Sequence, residues 1–108
     1  MIILYKGLHD LNDDEKHLFE QLTTQTCERF ENKWSKVLKP EIEISVHIKK
    51  HSPEGRRIRY SVHAHLPLPK ASLSVHNDDW DMHILFRELF QKLNNEAEKY
   101  FKEYHARK

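Results

Sequence analysis

Arg56-Arg57-Ile58-Arg59 carries the strongest chemical signal in this chain. Alternation along an extended strand sends Arg57 and Arg59 to one face, and Lys49 can lie beside them across the preceding turn. Guanidinium groups pair bidentately with phosphate, so a row of them suits the backbone of an RNA strand. A solvated hairpin end carries the same residue types. Farther along, Lys92, Lys99, Lys102 and Arg107 could extend the basic surface, or act only as solubilising cations near a helix C-terminus.

Nine histidines in 108 residues raise the question of a metal. His63 and His65 share a strand face, and antiparallel pairing could bring His76 next to them. Glu43 or His47 could approach from the other side, giving an N/O donor set that zinc accepts. There is no His-Glu-x-x-His run and no Cys/His ligand spacing to support it. The expectation is no metal and no other cofactor, with exposed histidines that stack on RNA or hydrogen-bond to it. Asp78, Asp79 and Asp81 read as helix caps rather than as an acid–base pair. Cys27 has no histidine or basic partner in a motif and reads as a packed thiol. Trp34 and Trp80 read as core plugs rather than base-stacking platforms. Gly7 and Gly55 are the only glycines, too few for a phosphate-cradling loop. The sequence therefore implies no catalytic residues, no enzyme and no small-molecule substrate.

The elements that must position these residues follow from hydrophobic periodicity. A short apolar segment, Ile2-Ile3-Leu4-Tyr5, precedes a helical pattern from Asp13 to Leu38. Asn12-Asp13-Asp14-Glu15 is its N-cap candidate, with acids favourably placed in the first turn. Its apolar residues recur at Leu18/Phe19, Leu22, Thr26, Phe30, Trp34 and Val37/Leu38. Thr23-Thr24-Gln25-Thr26 is a weak patch that tertiary packing must hold, and Pro40 ends the helix. Three strands are expected at Glu41–Lys50, Arg57–Leu66 and Ala71–Asn77. Ile42, Ile44, Val46 and Ile48 face inward from the first. Ile58, Tyr60, Val62, Ala64 and Leu66 do so from the second, and Ala71, Leu73 and Val75 from the third. The segment His51–Gly55 is a turn, and Pro67 and Pro69 bracket the second connection. One-faced alternation in successive strands means an antiparallel arrangement with one face covered. A last helix opening at Asp79-Trp80-Asp81-Met82 supplies a broad stripe of Met82, Leu85/Phe86, Leu89/Phe90, Leu93, Ala97 and Phe101.

Composition sets the frame. The 38% hydrophobic and 32% charged content fits an ordinary soluble globular protein, and the order of strands and helices reads as one α+β domain over residues 1–108, without repeats or linkers. One cysteine excludes an internal disulfide framework and suits a reducing cytoplasm. No apolar run approaches the length needed to span a bilayer, so no membrane partner is expected. Net charge is only +1, from 18 basic and 17 acidic residues. That excludes a protein that coats nucleic acid indiscriminately, but its segregation along the chain permits one basic face.

The order β-α-β-β-β-α, with Asp81-Met82 opening a last helix that continues to Lys92-Leu93, resembles a known family. So does the strand pair running from Ile58–Leu66 through Leu68-Pro69 into Leu73–Val75. The family is the ribosome hibernation promoting factor and ribosome-associated inhibitor family, in its short, single-domain form. The resemblance implies a four-stranded sheet with two helices packed on one face, similar to double-stranded-RNA-binding domains. It further implies a stress factor that occupies the messenger- and transfer-RNA channel of the small ribosomal subunit and blocks translation on idle ribosomes. Its partners would be that subunit and its ribosomal RNA. The RNA-binding candidates are Lys49, Arg56, Arg57, Arg59, His63, Lys92, Lys99 and Lys102. The first helix departs from the family's basic pattern, mixing Lys16, Arg29, Lys33 and Lys36 with Glu15, Glu20, Glu28 and Glu31. Two alternatives stay open. One is a double-stranded-RNA-binding module, which lacks here the expected lysine run at the start of the last helix. The other is a protein-interaction or metal-binding domain sharing the fold without ribosome binding, with His63, His65 and His76 as the metal candidates.

Overall fold

The computed structural model of the chain describes residues 1–52 and 57–106, without the side chains of residues 103–106. Its elements are β1 (Ile2–Lys6), a short 3-10 turn (Leu8–Asp10), α1 (Asp13–Lys33), β2 (Glu43–His51), β3 (Arg59–Pro67), β4 (Ser72–Asp79) and α2 (Met82–Ala106). The four strands form one mixed sheet in the order β1-β2-β3-β4. The two hairpin pairs are antiparallel, whereas β1 lies parallel to β2 with α1 as the crossover. Pro53, Glu54, Gly55 and Arg56 of the expected turn and basic run lie outside the described residues.

Period-2 alternation decides which face of the sheet is wet. Ile44, Val46, Ile48, Val62, Ala64, Leu66, Leu73 and Val75 are buried, and the residues between them are exposed or half-exposed. Both helices cover the buried face. From α2 come Met82, Leu85, Phe86, Leu89, Leu93, Ala97 and Phe101, the broad stripe expected of a helix lying on a sheet. The stripe of α1 is narrower: Phe19, Thr23, Cys27 and Phe30 are buried, while Leu18 and Leu22 pack at its margins. Phe19 meets Phe86 at 5.9 Å between ring centroids, which joins the two helices. The threonine patch is held as its weak propensity requires, because Thr24 Oγ1 lies 2.8 Å from the Tyr5 hydroxyl and Thr23 is buried. Burial pushes the Cys27 thiol up to about 12, with the Glu31 charge adding to it, so Cys27 is a packed side chain and not a nucleophile.

Several sequence expectations need correction. The first helix stops at Lys33, short of Leu38. Trp34 leaves helical geometry to donate its indole N–H to Asn94 Oδ1 at 3.1 Å and to pack on Phe101, and the chain tightens into a turn on the Trp34 carbonyl. Ile58 is 38% exposed and Ala71 is exposed; both precede the strands assigned to them, where alternation no longer applies. Tyr60 and Phe90 are only partly buried. Trp80 is 51% exposed and plugs nothing. The turn after β1 requires a glycine: Gly7 has φ 87°, and a Cβ there would fall 2.0 Å from the Ile48 carbonyl oxygen.

Candidate nucleic-acid interface

Sheet register lines up the polar side chains of the open face. Lys6, His47, His63 and His76 form a row across all four strands, and Ser45, His65 and Ser74 form the next row. In the opposite direction lie Lys49, Ser61 and Asp78, with Arg59 opposite His51 at the end of the hairpin. The Ser74 hydroxyl sits 3.0 Å from His63 Nε2 and 3.3 Å from His65 Nδ1. A hydroxyl can donate to one imidazole while accepting from the other, so Ser74 couples the two rings. His63 and His76 meet edge to face at 6.3 Å. Between these rows runs a shallow groove of about 190 Å³, lined by His47, Lys49, Ser61, His63, His76 and Asp78.

The basic end of this face is partly self-neutralised. Arg59 pairs with Asp78 at 3.1 Å, and both side chains are about half exposed. Such a pair contributes about 0–1 kcal/mol, so exchanging the carboxylate for a phosphate costs little. Lys49 is exposed. Arg57 lays its guanidinium over the Trp80 ring, 5.4 Å from the centroid. The following helix starts on Asp81, whose Oδ1 accepts from the backbone N–H groups of His83 and Ile84 at 2.8 and 3.2 Å. Those bonds, Ile84's first, hold the Asp81 carboxyl below its usual range. Asp79 accepts in turn from the Asp81 N–H at 2.9 Å and so supports the capping residue, while Asp78 pairs with Arg59; of the three acids only Asp81 caps the helix.

Beneath the basic end lies a polar hub that sequence reasoning missed. Asn12 and Glu15 form a reciprocal capping box at the start of α1. Glu15 Oε1 also accepts from Lys50 Nζ at 2.7 Å, and Glu15 Oε2 accepts from the Tyr60 hydroxyl. Partial burial pushes the Glu15 carboxyl up, but the hydrogen bonds from Lys50, Tyr60 and Asn12 outweigh it and leave the group below its ordinary value. Burial, with the Glu15 bond and charge added, raises the Tyr60 hydroxyl to about 12. This hub ties the helix start to the end of β2 and the beginning of β3, fixing the strand ends that carry Lys49 and Arg59. The available signal was Lys50, a charged residue at an inward position of the alternation.

The structure brings Lys49, Arg59 and His63 to one side of the sheet, sets Arg57 over Trp80 just before β3, and leaves the remaining candidates apart. Lys92 donates to the His76 carbonyl and to Asn77 Oδ1, each at 3.0 Å, and so covers the open edge of β4. Lys99 pairs with Glu96 at 3.6 Å one helical turn away, and Lys102 is exposed. Both stand on α2, which packs against the opposite face of the sheet. Arg56 lies outside the described residues. Among the described residues no three His, Cys, Asp or Glu side chains are placed to hold a metal, and no helix is long and apolar enough to cross a membrane.

No protein-family model and no curated protein sequence matches this chain. Its fold matches that of a solved ribosomal subunit interface protein from Coxiella burnetii, with a TM-score of 0.62 and 23% sequence identity. The match covers 94% of this chain and 99% of that one. The α+β fold that the resemblance implied is therefore met.

Proposed function

We propose that this chain is a cytoplasmic, ribosome-binding translation regulator that acts by occupancy rather than by chemistry. Its open sheet face would lie against ribosomal RNA of the small subunit, and its bulk would exclude messenger and transfer RNA during hibernation under stress. The observation that carries this reading is the one-sided sheet. Its open face bears Lys6, Lys49 and Arg59 against Glu43 and Asp78, with His47, His51, His63, His65 and His76 between them, and Arg57 stands over Trp80 just before β3. That is a surface of phosphate-pairing cations and base-stacking imidazoles on a chain of nearly neutral net charge. The fold likeness to a ribosomal subunit interface protein supports a ribosomal partner. Lys99 and Lys102 would belong to a second contact, on the helix side.

Replacing both Arg57 and Arg59 with alanine tests the assignment. Binding to small ribosomal subunits is expected to weaken, and the slope of log affinity against log salt to fall by about one for each lost phosphate contact. Stability should change by less than about 0.5 kcal/mol, because both side chains are exposed. Glu43→Ala on the same face removes a negative charge and should not weaken binding. A double variant with wild-type affinity and salt slope would move the RNA site off the sheet face.

A further inference from the structure

Trp80 is half exposed in a protein that has a core available for it. The other tryptophan shows what a structural role looks like here: Trp34 is partly buried against Phe101, with its N–H bound to Asn94. Trp80 has no such bond among the described residues, and the helix that follows is capped by Asp81 without its help. What touches the Trp80 ring is a cation, Arg57. On the side of α1 the indole also walls a recess of about 320 Å³, shared with Leu18, Tyr60 and Met82.

We propose that Trp80 is the stacking platform for an unpaired nucleobase. Arg57 closes over the base, and Lys49 and Arg59 hold the flanking phosphates. This deepens the RNA-binding reading above and rests on it: the nucleic acid taken is single-stranded rather than duplex. The indole offers a large rigid π-surface at low entropic cost, and stacking tolerates any base because every base has a π-face. A duplex cannot use this surface, since its bases are already stacked and the deep major groove of A-form RNA does not admit a side chain. Geometry also sets the direction of the strand. Asp14, Glu15 and Asp81 line the recess and repel phosphate, so a base can enter it only with its backbone on the Arg57 side. A separate groove on the open face, lined by Lys49, His63 and His76, can take further bases.

The test uses an unstructured RNA oligonucleotide of mixed sequence, and the duplex it forms with its complement, against wild type, Trp80→Ala and Trp80→Phe. Circular dichroism checks the fold of each variant. The single strand is expected to quench the tryptophan fluorescence of wild type but not that of Trp80→Phe, whose only indole is Trp34. Trp80→Ala should weaken single-strand binding roughly five- to a hundredfold, the loss typical of one stacked base, and Trp80→Phe much less. Duplex affinity should be the same in all three proteins. The proposal is overturned if Trp80→Ala binds the single strand as tightly as wild type, if it loses single strand and duplex alike, or if wild type binds neither. Sedimentation with small ribosomal subunits separates this from the broader reading. If wild type and Trp80→Ala pellet equally, only the stacking assignment fails. If wild type stays unbound to subunits while oligonucleotide binding still depends on Trp80, the platform stands and the ribosome reading falls.

Discussion

Leu89→Ala is expected to lower stability by about 2–5 kcal/mol, measured as a shift of the urea midpoint without a change of slope. Leu89 is 2% exposed in the middle of α2, between Phe86 and Leu93 and against the buried face of the sheet. Truncation removes the transfer free energy of its methyl groups and leaves a cavity walled by large side chains that are themselves tightly placed. In a domain of this size each kcal/mol lowers the melting temperature by roughly 4–8 °C, so the variant should melt well below wild type. A loss under about 1 kcal/mol would mean that α2 does not pack on the sheet as described.

The second large effect is expected at Glu15. Glu15→Ala removes the reciprocal half of the α1 capping box and leaves Lys50 and the Tyr60 hydroxyl without their acceptor in a half-buried setting. Asn12 still caps the helix in this variant, so the loss comes from unpairing, and a partly buried charge or hydroxyl left without its acceptor costs about 1–3 kcal/mol. Together the two unpaired groups should remove about 2–4 kcal/mol, discounted for the partial exposure of Lys50. The pH dependence has a definite sign. Because the folded carboxyl binds its proton more weakly than the unfolded one, the Glu15 contribution is fully present above the ordinary carboxylate value of 4.5. It fades as pH falls below that value and through the lowered folded one. Glu15→Gln should therefore lie closest to wild type in acid and farthest from it at neutral pH. A constant difference between the two across that window would show that the carboxylate charge is not what the hub uses.

Much of this architecture is legible in the sequence because the sheet is covered on one side only. Ile44, Val46 and Ile48 against Ser45, His47 and Lys49 leave no choice of face, and the stripe from Met82 to Phe101 is too long and too broad to be anything but a helix on that sheet. Alternation fails where a strand has not yet begun, which is why Ile58 and Ala71 were placed inward although they are exposed. It also says nothing of strand direction, so the parallel pairing of β1 was not readable. The basic cluster was legible as residue types, but its pairings were not. Arg59 with Asp78, and Lys92 with the β4 edge, depend on a register fixed by contacts distant in sequence. Residue type alone points Trp80 inward, because a large aromatic is most often buried, and only the folded chain places it beyond the last strand residue with Arg57 above it. In the sequence Glu15 is one acid of the first helical turn, and its role as a hub needs the meeting of α1 with the ends of β2 and β3.

The central claim, that this chain binds the small ribosomal subunit through phosphate contacts, is tested most directly by sedimenting purified protein with isolated subunits at low and high salt. The protein is expected to pellet with the small subunit at low salt and to be released as salt rises, since each phosphate contact adds about one unit to the salt slope. Protein left in the supernatant at low salt, with folded wild type and intact subunits, would contradict it.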